Sequence, residues 1–179
     1  MVACLDEGRS GADLLGVPVL HPDDHDPDVC RQALMAIGEP SVRRRFVERL
    51  VPHGLEWLTF VDRRSHVSRN AEVGEGTIVL PFASVGPASS VGRFCYLSAY
   101  ACVGGATSVG DFTSLLPRAL AGSKCRIGSD CSLGLASTCL DGAVIGDRAT
   151  VAPHTLVRRD VPAGALVAGN PARIVKRRT

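Results

Sequence analysis

Residues 67–102 read, in units of six, VSRNAE VGEGTI VLPFAS VGPASS VGRFCY LSAYAC. An apolar residue opens each unit, and a small residue stands four positions later. A period of six fits neither the 3.6 of a helix nor the 2 of a single strand. It predicts a solenoid of short strands joined by corners, with the opener and the small residue both pointing inward. The openers are Val67, Val73, Val79, Val85, Val91, Leu97, Val103, Val109, Leu115, Ala121, Ile127, Leu133, Cys139, Ile145, Val151, Val157 and Ala163.

Glycine recurs directly after every third opener. An interval of three units predicts three strands per turn, hence a triangular prism whose successive turns stack about 4.8 Å apart. We expect these glycines to supply corner conformations that other residues adopt only at a cost, and not to form a phosphate loop. The series is Gly74, Gly92, Gly110, Gly128, Gly146 and Gly164.

Composition narrows the function classes. The chain has 179 residues, enough for one domain and a small appendage. A net charge of +2 argues against nucleic acid as the main partner. The sequence shows neither a signal peptide nor a long apolar run, so we expect a cytoplasmic protein with no membrane partner.

The cysteines follow the six-residue pattern. Cys95, Cys125 and Cys131 take small-residue positions, and Cys139 is an opener. We therefore expect them to be small core side chains and not disulfide or metal ligands. Cys102 ends its unit and should point outward, which makes it the repeat cysteine whose thiol is most open to reaction.

Residues before the repeat have a different texture. Ala33 to Ile37 is apolar, a helical pattern opens at Pro40 and stops before Gly54, and Leu55 to Val61 has the pattern of a strand. This order predicts a small α/β unit with a parallel sheet in residues 1–62, ahead of a solenoid in residues 63–179.

Four arginines lie in the predicted helix. Two interpretations stay open: a clamp for a phosphate or carboxylate of a substrate, or a solvated helix face. The four are Arg43, Arg44, Arg45 and Arg49.

The repeat resembles the hexapeptide-repeat family of left-handed parallel β-helix proteins, most of which are homotrimeric acyltransferases. The segments AIGEPSVRRRFVERL (36–50) and DRRSHVSRNAEVGEGTIV (62–79) look like its sugar-acetyltransferase branch, which includes sialic-acid O-acetyltransferases and the N-acetyltransferase of bacillosamine synthesis. The resemblance implies a mainly β fold, a left-handed parallel β-helix preceded by a small Rossmann-like α/β unit. That unit is expected to be truncated, because its usual first strand and glycine-rich turn have no counterpart. Gly38 matches the branch's substrate-contacting glycine.

The branch's general base has no counterpart. In those proteins a histidine on a middle turn takes the acceptor's proton, and the matching position is Gly105. A second histidine that contacts the acyl donor is matched by Ser114. As substitutes for the catalytic group we predict Tyr96, Ser114 and Lys124, against the alternative that they are ordinary surface polar residues.

The C-terminal segment DVPAGALVAGNPARIVKRR (160–178) resembles the family's closing signature, which holds coenzyme A. The resemblance implies that Arg173 and Lys176 meet the coenzyme's phosphates, as do the two arginines that follow them. Leu135 and Pro153 match positions that line the pantetheine arm, and Ser114 and His154 are expected along the donor channel.

Together these features predict an acyltransferase that uses acetyl-CoA or another acyl-CoA and acts on an amine or hydroxyl of a small sugar-like or natural-product acceptor. The expected assembly is a homotrimer, and an acyl carrier protein is an alternative donor. No metal is expected, since the repeat offers only His154, with His66 at its margin, for the three-histidine zinc site of β-helix carbonic anhydrases. The alternative function is a repurposed β-helix that binds a ligand or partner, or that catalyses a cyclisation or dehydration.

Overall fold

The computed structural model describes residues 3–6, 8, 11, 13–26, 28 and 30–177. Most of the chain is a prism of two-residue strands that form three parallel sheets, here called faces 1, 2 and 3 in chain order. Face 1 contains His66–Val67, Ser84–Val85, Cys102–Val103, Leu120–Ala121, Thr138–Cys139 and Leu156–Val157. Face 2 contains Glu72–Val73, Ser90–Val91, Ser108–Val109, Arg126–Ile127 and Val144–Ile145. Face 3 contains Phe60–Val61, Ile78–Val79, Tyr96–Leu97, Ser114–Leu115, Ser132–Leu133, Thr150–Val151 and Ala165–Ala168, and the antiparallel Arg173–Arg177 closes it.

The register follows the six-residue pattern. Val85 pairs with Val103 on face 1, and Leu97 pairs with Leu115 on face 3, so strands eighteen residues apart stack as predicted. Both the openers and the small residues fill a continuous apolar core along the prism axis. Hydroxyls in the small-residue positions also serve the corners, since Thr107 Oγ1 donates to Gly122 O at 2.7 Å. The predicted solenoid of five to six turns is confirmed.

Corner glycines are needed for space and not for an unusual backbone. The series from Gly74 to Gly146 lies in the second corner, between faces 2 and 3, and a Cβ on Gly110 would stand 2.6 Å from Ser129 N. Left-handed φ values occur two residues later, at Phe112 (58°) and Asp130 (58°) among others. The expected reason was therefore wrong for Gly74 to Gly146, where successive corners stack too closely for a side chain. It holds for Gly164, whose φ of 67° is left-handed.

The six-residue phase slips once, in the last turn. Val161 and not Ala163 bridges to Ile145, and Val167 pairs with Val151. Asp160 Oδ1 accepts a 3.0 Å hydrogen bond from Val144 N, which holds a corner two residues shorter than the others. Ala163 is consequently exposed, while Val161 is buried. The prediction of an unbroken phase to Ala163 was wrong for this turn.

Residues before the prism form small separate sheets. Cys4–Leu5, Asp13–Leu14 and Val17–Leu20 make one three-stranded sheet. Gln32–Ala33 pairs parallel with Glu56–Trp57 around helix α1, Pro40–Leu50, which confirms the predicted strand–helix–strand order. Short 3-10 helices occupy Pro22–Asp24 and Val51–His53. The described residues do not form one continuous parallel sheet, so a Rossmann-like unit is not confirmed.

The prism begins slightly earlier than predicted. Phe60–Val61 pairs with Ile78–Val79 on face 3, three residues ahead of the predicted boundary at 63. The segment predicted as one strand, Leu55 to Val61, is divided between the two sheets. Within the described ranges, no helix is long and apolar enough to cross a membrane.

Candidate active site

Arg43 joins α1 to the prism. Its side chain is fully buried, with Nη1 donating to Ile37 O at 2.6 Å and to Gly38 O at 3.1 Å. Nη2 donates to Phe112 O at 2.6 Å and to Ser114 Oγ at 2.9 Å. Burial lowers the pKa of the guanidinium, although an arginine stays charged at any ordinary pH. A buried cation thus ties the Gly38 loop to face 3 through uncharged acceptors.

The neighbouring arginines reinforce this docking. Arg44 makes a bidentate ion pair with Asp130, both bonds 2.7 Å, and its guanidinium lies 4.1 Å from the centre of the Phe112 ring. The ion pair with Asp130 raises the pKa of Arg44. Phe112 stacks on Phe94 in a cluster of α1 and second-corner side chains.

Neither interpretation of the arginine run fits all four residues. Arg43 and Arg44 bind groups of this chain. Neither residue is therefore free to clamp a substrate anion, and neither is fully solvated. Arg49 pairs with Asp23 at 2.6 Å. Arg45 is exposed, as a solvated helix face predicts.

Ser114 is enclosed by this network. Its side chain is fully buried, and its hydroxyl accepts from Arg43 and donates to Gly38 O at 2.8 Å. Both hydrogen-bonding roles of the hydroxyl are filled within the chain. The geometry therefore gives Ser114 a structural role and does not support the predicted catalytic or donor contact. Tyr96 and Ser132 flank it on face 3 in the predicted stack, and both are partly exposed.

Gly38 precedes α1. Its carbonyl oxygen accepts hydrogen bonds from Arg43 and Ser114, whereas the space beside its Cα is empty. A Cβ built on Gly38 would meet no atom within 4 Å. A ligand can therefore approach the backbone at this point. A cleft of about 590 Å³ lies next to it, between the first turns of α1 and the outer side of face 3.

Gly105 lies in the first corner, between faces 1 and 2. Its carbonyl accepts a 2.9 Å hydrogen bond from the backbone N–H of Lys124, so the structure places that predicted residue on the next turn at the same corner. Ser123 N donates to Asp141 Oδ1 at 2.9 Å, which brings a carboxylate to this corner as well. Sequence reasoning missed Asp141, although it stands thirty-six residues, two turns, after Gly105.

Tyr96 and His154 do not lie at Gly105's corner. Tyr96 is on face 3. His154 is in the third corner, between faces 3 and 1, where its backbone N–H donates to Leu135 O at 2.8 Å. Leu135 and Pro153 are exposed in that same corner. Leu135, Pro153 and His154, three predicted donor-channel residues, are thus neighbours. Gly105, the predicted base position, lies at a different corner of the same chain.

A second cleft, of about 630 Å³, opens where the shortened last corner meets the closing strand. Arg158, Arg159 and Arg173 line it above an apolar floor that includes Val167 and Ile174. Arg173 is exposed, and its Nη1 donates to Ala172 O at 2.9 Å. Lys176 lies exposed on the same strand, and Arg178 lies outside the described residues. Arg158 and Arg159 were not predicted, because the cleft arises from the phase slip.

Four repeat cysteines, Cys95, Cys125, Cys131 and Cys139, are core side chains, as predicted. Burial raises the pKa of Cys95 and Cys139 to about 12 and that of Cys131 to about 11. Burial also raises the pKa of Cys125. Cys102 is partly exposed on the outer side of face 1. Among the described residues, no group of three or more His, Cys, Asp or Glu side chains is arranged to hold a metal ion.

Comparison with known proteins identifies relatives of the whole architecture. No protein-family model matches the chain. The chain is 30% identical over 148 residues to the GDP-perosamine N-acetyltransferase of Escherichia coli. The alignment covers 80% of this chain and 67% of that enzyme. The structure matches WeeI from Acinetobacter baumannii with a TM-score of 0.92 and 29% identity, over 97% of this chain and 85% of WeeI.

The fold alone is shared with a more distant structure. A mutant perosamine N-acetyltransferase from Caulobacter crescentus, in complex with CoA and GDP-perosamine, matches with a TM-score of 0.90 and 24% identity. The alignment covers 97% of this chain and 84% of that one. Taken with the similarity to the Escherichia coli enzyme, this architecture shows that the chain belongs to the hexapeptide-repeat family of left-handed β-helix acetyltransferases, alongside its sugar N-acetyltransferases.

Proposed function

We propose that the protein is an acyltransferase that moves an acetyl or other acyl group from an acyl-CoA to an amine or hydroxyl of a small sugar-like or natural-product acceptor. The observation that carries this proposal is the three-arginine cleft at the C-terminal end of the prism. A coenzyme A thioester carries several phosphates at one end, and guanidinium groups bind phosphate through charge-assisted hydrogen bonds.

The charges of this cleft favour an anion. Among the described residues that line it, Asp160 alone carries a carboxylate, and its Oδ1 already accepts a hydrogen bond from Val144 N. Within the described part of the chain, no carboxylate pairs with Arg158 or Arg159. Arg173 and Lys176 add positive charge on the closing strand. From this end, the donor's pantetheine arm would run along the third corner past Pro153 and Leu135, with His154 beside it.

The acceptor's proton must pass to a base, and Gly105 has no side chain that can accept it. Lys124 and Asp141 are the titratable groups that the structure brings to the Gly105 corner, together with Ser123. We propose Lys124 or Asp141 as the group that takes the proton, with Tyr96 of another subunit as the remaining predicted candidate. An acceptor amine of low basicity is uncharged near pH 7 and needs this help least.

The site is proposed to be complete only in a homotrimer. Gly38, the predicted acceptor contact, is bound to face 3 through Arg43 and Ser114, whereas Gly105 lies in the first corner. A neighbouring subunit is needed to bring its first corner to face 3 and the third corner. Light scattering should give three times the 18.8 kDa mass of the chain, and a monomer would contradict this proposal.

The absent histidine favours a second candidate function. Without a base at Gly105, the same cleft and groove suit a protein that binds an acyl thioester, or a partner carrying one, without transferring the acyl group. A carrier-protein thioester is the alternative form of the donor. This candidate predicts donor binding with no product.

One experiment separates the two candidates. Calorimetry measures coenzyme A binding to the wild type and to Arg158→Ala, Arg173→Ala and His154→Ala, while chromatography follows acetyl transfer to sugar amines. Acetyl transfer requires both binding and product. We expect each arginine change to weaken coenzyme A about tenfold or more, and His154→Ala to affect donor affinity more than turnover. Arg126→Ala, exposed on face 2, is the matched control. If the wild type fails to bind coenzyme A, the proposed donor is wrong.

A further inference from the structure

The third corner carries an exposed column of side chains, and the proposed path of the donor's pantetheine arm accounts only for its His154 end. Backbone hydrogen bonds link each turn to the next: Tyr100 N to Pro81 O, Arg118 N to Ala99 O, Ala136 N to Pro117 O and His154 N to Leu135 O. The five residues that occupy the left-handed corner position therefore stand one above another. In order along the prism they are Phe82, Tyr100, Arg118, Ala136 and His154.

The first half of this column is a stack of planar groups. The Phe82 and Tyr100 rings lie 5.0 Å apart between centres with an interplanar angle of 20°, and they are 49% and 54% exposed. Arg64 covers the outer end, 5.5 Å from the Phe82 ring, while also pairing with Asp62. Arg118 lies over the other end, 5.8 Å from the Tyr100 ring. Planar side chains thus stack face to face along this corner while remaining exposed to solvent.

Ala136 interrupts the stack and leaves a gap, here called the Ala136 notch. Because Arg118 leans toward Tyr100, its other side faces the notch, and His154 bounds it two turns away. Two turns span about 10 Å. Stacked rings prefer centres about 4.5–7 Å apart, and a cation prefers to lie within about 6 Å of a ring. One flat ring inserted over Ala136 therefore reaches both neighbours.

The walls of the notch are available to a ligand. Among the described residues, no carboxylate pairs with Arg118, and the exposed His154 ring takes part in no hydrogen bond, ion pair or ring stacking. Leu135, 42% exposed, adds an apolar edge beside Ala136. A guanidinium, an imidazole and an aliphatic edge match a planar aromatic ring better than they match a saturated sugar.

We propose that the Ala136 notch binds a planar aromatic ring of a ligand by stacking it between Arg118 and His154. The inference goes beyond the acyl transfer and stands whether or not acyl transfer occurs. The ring has two chemical sources: a nucleobase, carried by coenzyme A or by a nucleotide-linked acceptor, or the aryl group of an aryl amine.

The test uses full-length protein and four probes in calorimetry: coenzyme A, 4′-phosphopantetheine, guanosine diphosphate and 4-aminobenzoate. Ala136→Leu fills the notch. Ala88→Leu places the same side chain at an exposed left-handed position of the first corner and controls for backbone tolerance, since the φ values are 51° and 55°. Arg118→Met removes one stacking wall but keeps an apolar stem.

We expect at least one ring-bearing probe to bind the wild type and to lose about tenfold or more in affinity with Ala136→Leu, the size of one lost stacking contact. Arg118→Met should weaken the same probe, whereas Ala88→Leu should leave it within twofold. The probe affected identifies the source of the ring. 4′-Phosphopantetheine has no ring, and although its arm is proposed to pass Leu135 and His154, it should lose less affinity in Ala136→Leu and Arg118→Met than the affected ring-bearing probe.

Three results would overturn the proposal: no ring-bearing probe binds, every one binds all variants within twofold, or 4′-phosphopantetheine loses as much affinity as the ring-bearing probe that the variants affect. If Ala136→Leu does not fold, Arg118→Met decides by the same criterion. The proposed acyltransferase fails on a different observation, the absence of acetyl product, so the two outcomes can be told apart.

Discussion

Arg43→Ala should destabilise the fold more than any other single arginine change in α1. The substitution leaves Ile37 O, Phe112 O and Ser114 Oγ without their buried donor, whereas Gly38 O keeps the Ser114 hydroxyl. Three orphaned acceptors at about 1 kcal/mol each, with about 1.6 kcal/mol for two lost methylenes, total about 5 kcal/mol. Water entering the space, and relief of the buried charge, reduce the expected loss to about 3 kcal/mol.

The assay is urea unfolding followed by circular dichroism, at one protein concentration because an oligomer's stability depends on it. Arg45→Ala is the matched control, an exposed arginine two positions along the same helix, and should change the free energy of unfolding by less than about 0.5 kcal/mol. Arg43→Lys, which offers donors from a single point, should fall between the two. The reasoning is refuted if Arg43→Ala and Arg45→Ala differ by less than about 1 kcal/mol.

Three further predictions follow from the corners, the core and the docking of α1. Gly104→Ala should cost about 1–3 kcal/mol, because its Cβ would stand 2.6 Å from Ser123 N, while Gly105→Ala, whose nearest contact is 3.4 Å, should be tolerated; equal urea midpoints for the two variants would contradict this. The pKa values of Cys95 and Cys139 are raised to about 12, so the folded state keeps these thiol protons at a pH where the unfolded thiols lose theirs. The free energy of unfolding should therefore fall as pH rises above about 9. In thiol labelling at pH 8, these two cysteines should react only on unfolding, unlike Cys102. Asp130→Asn breaks the partly exposed bidentate pair with Arg44 and should lower the free energy of unfolding by about 1 kcal/mol. If the two residues act together, the double variant Arg44→Ala/Asp130→Asn should lose no more stability than Arg44→Ala alone.

Most of the prism was predictable because its determinants are local. An apolar opener and a small residue four positions later recur in every unit before the last turn, so the inward positions there follow from spacing alone. Residues such as Leu97 and Leu115 consequently lie where the pattern placed them. The strand–helix–strand order before the prism was predictable for the same reason.

The phase slip was not predictable from the pattern. Val161 and Ala163 are both acceptable openers by chemistry, and the choice between them depends on a hydrogen bond from Val144 N to the Asp160 carboxylate across the prism. The three-arginine cleft follows from that choice. Corner glycines present a related problem, since spacing does not reveal whether a glycine is needed for its φ or for the space above it.

The candidate site was only partly predictable because its polar groups are placed by docking. A run of arginines looks the same in sequence whether it faces water or a neighbouring carbonyl. Arg43 is buried because α1 lies on Phe112, a contact between residues 69 positions apart. The same contact encloses Ser114, which a match to the family's donor histidine had placed in the reaction. Asp141 was missed because its relation to Gly105 spans two turns.

The most direct test of the proposed function is the rate of acetyl transfer from acetyl-CoA across amines of graded basicity, measured at pH 7 with the wild type and Gly105→His. We predict that the wild type transfers acetyl fastest to amines that are already uncharged at this pH. A histidine at Gly105 should then accelerate the more basic amines, toward the roughly 10²–10⁴-fold that a positioned general base contributes. No acetyl product from any acceptor, by a wild type that binds coenzyme A, would contradict the account and leave a protein that binds the thioester without using it.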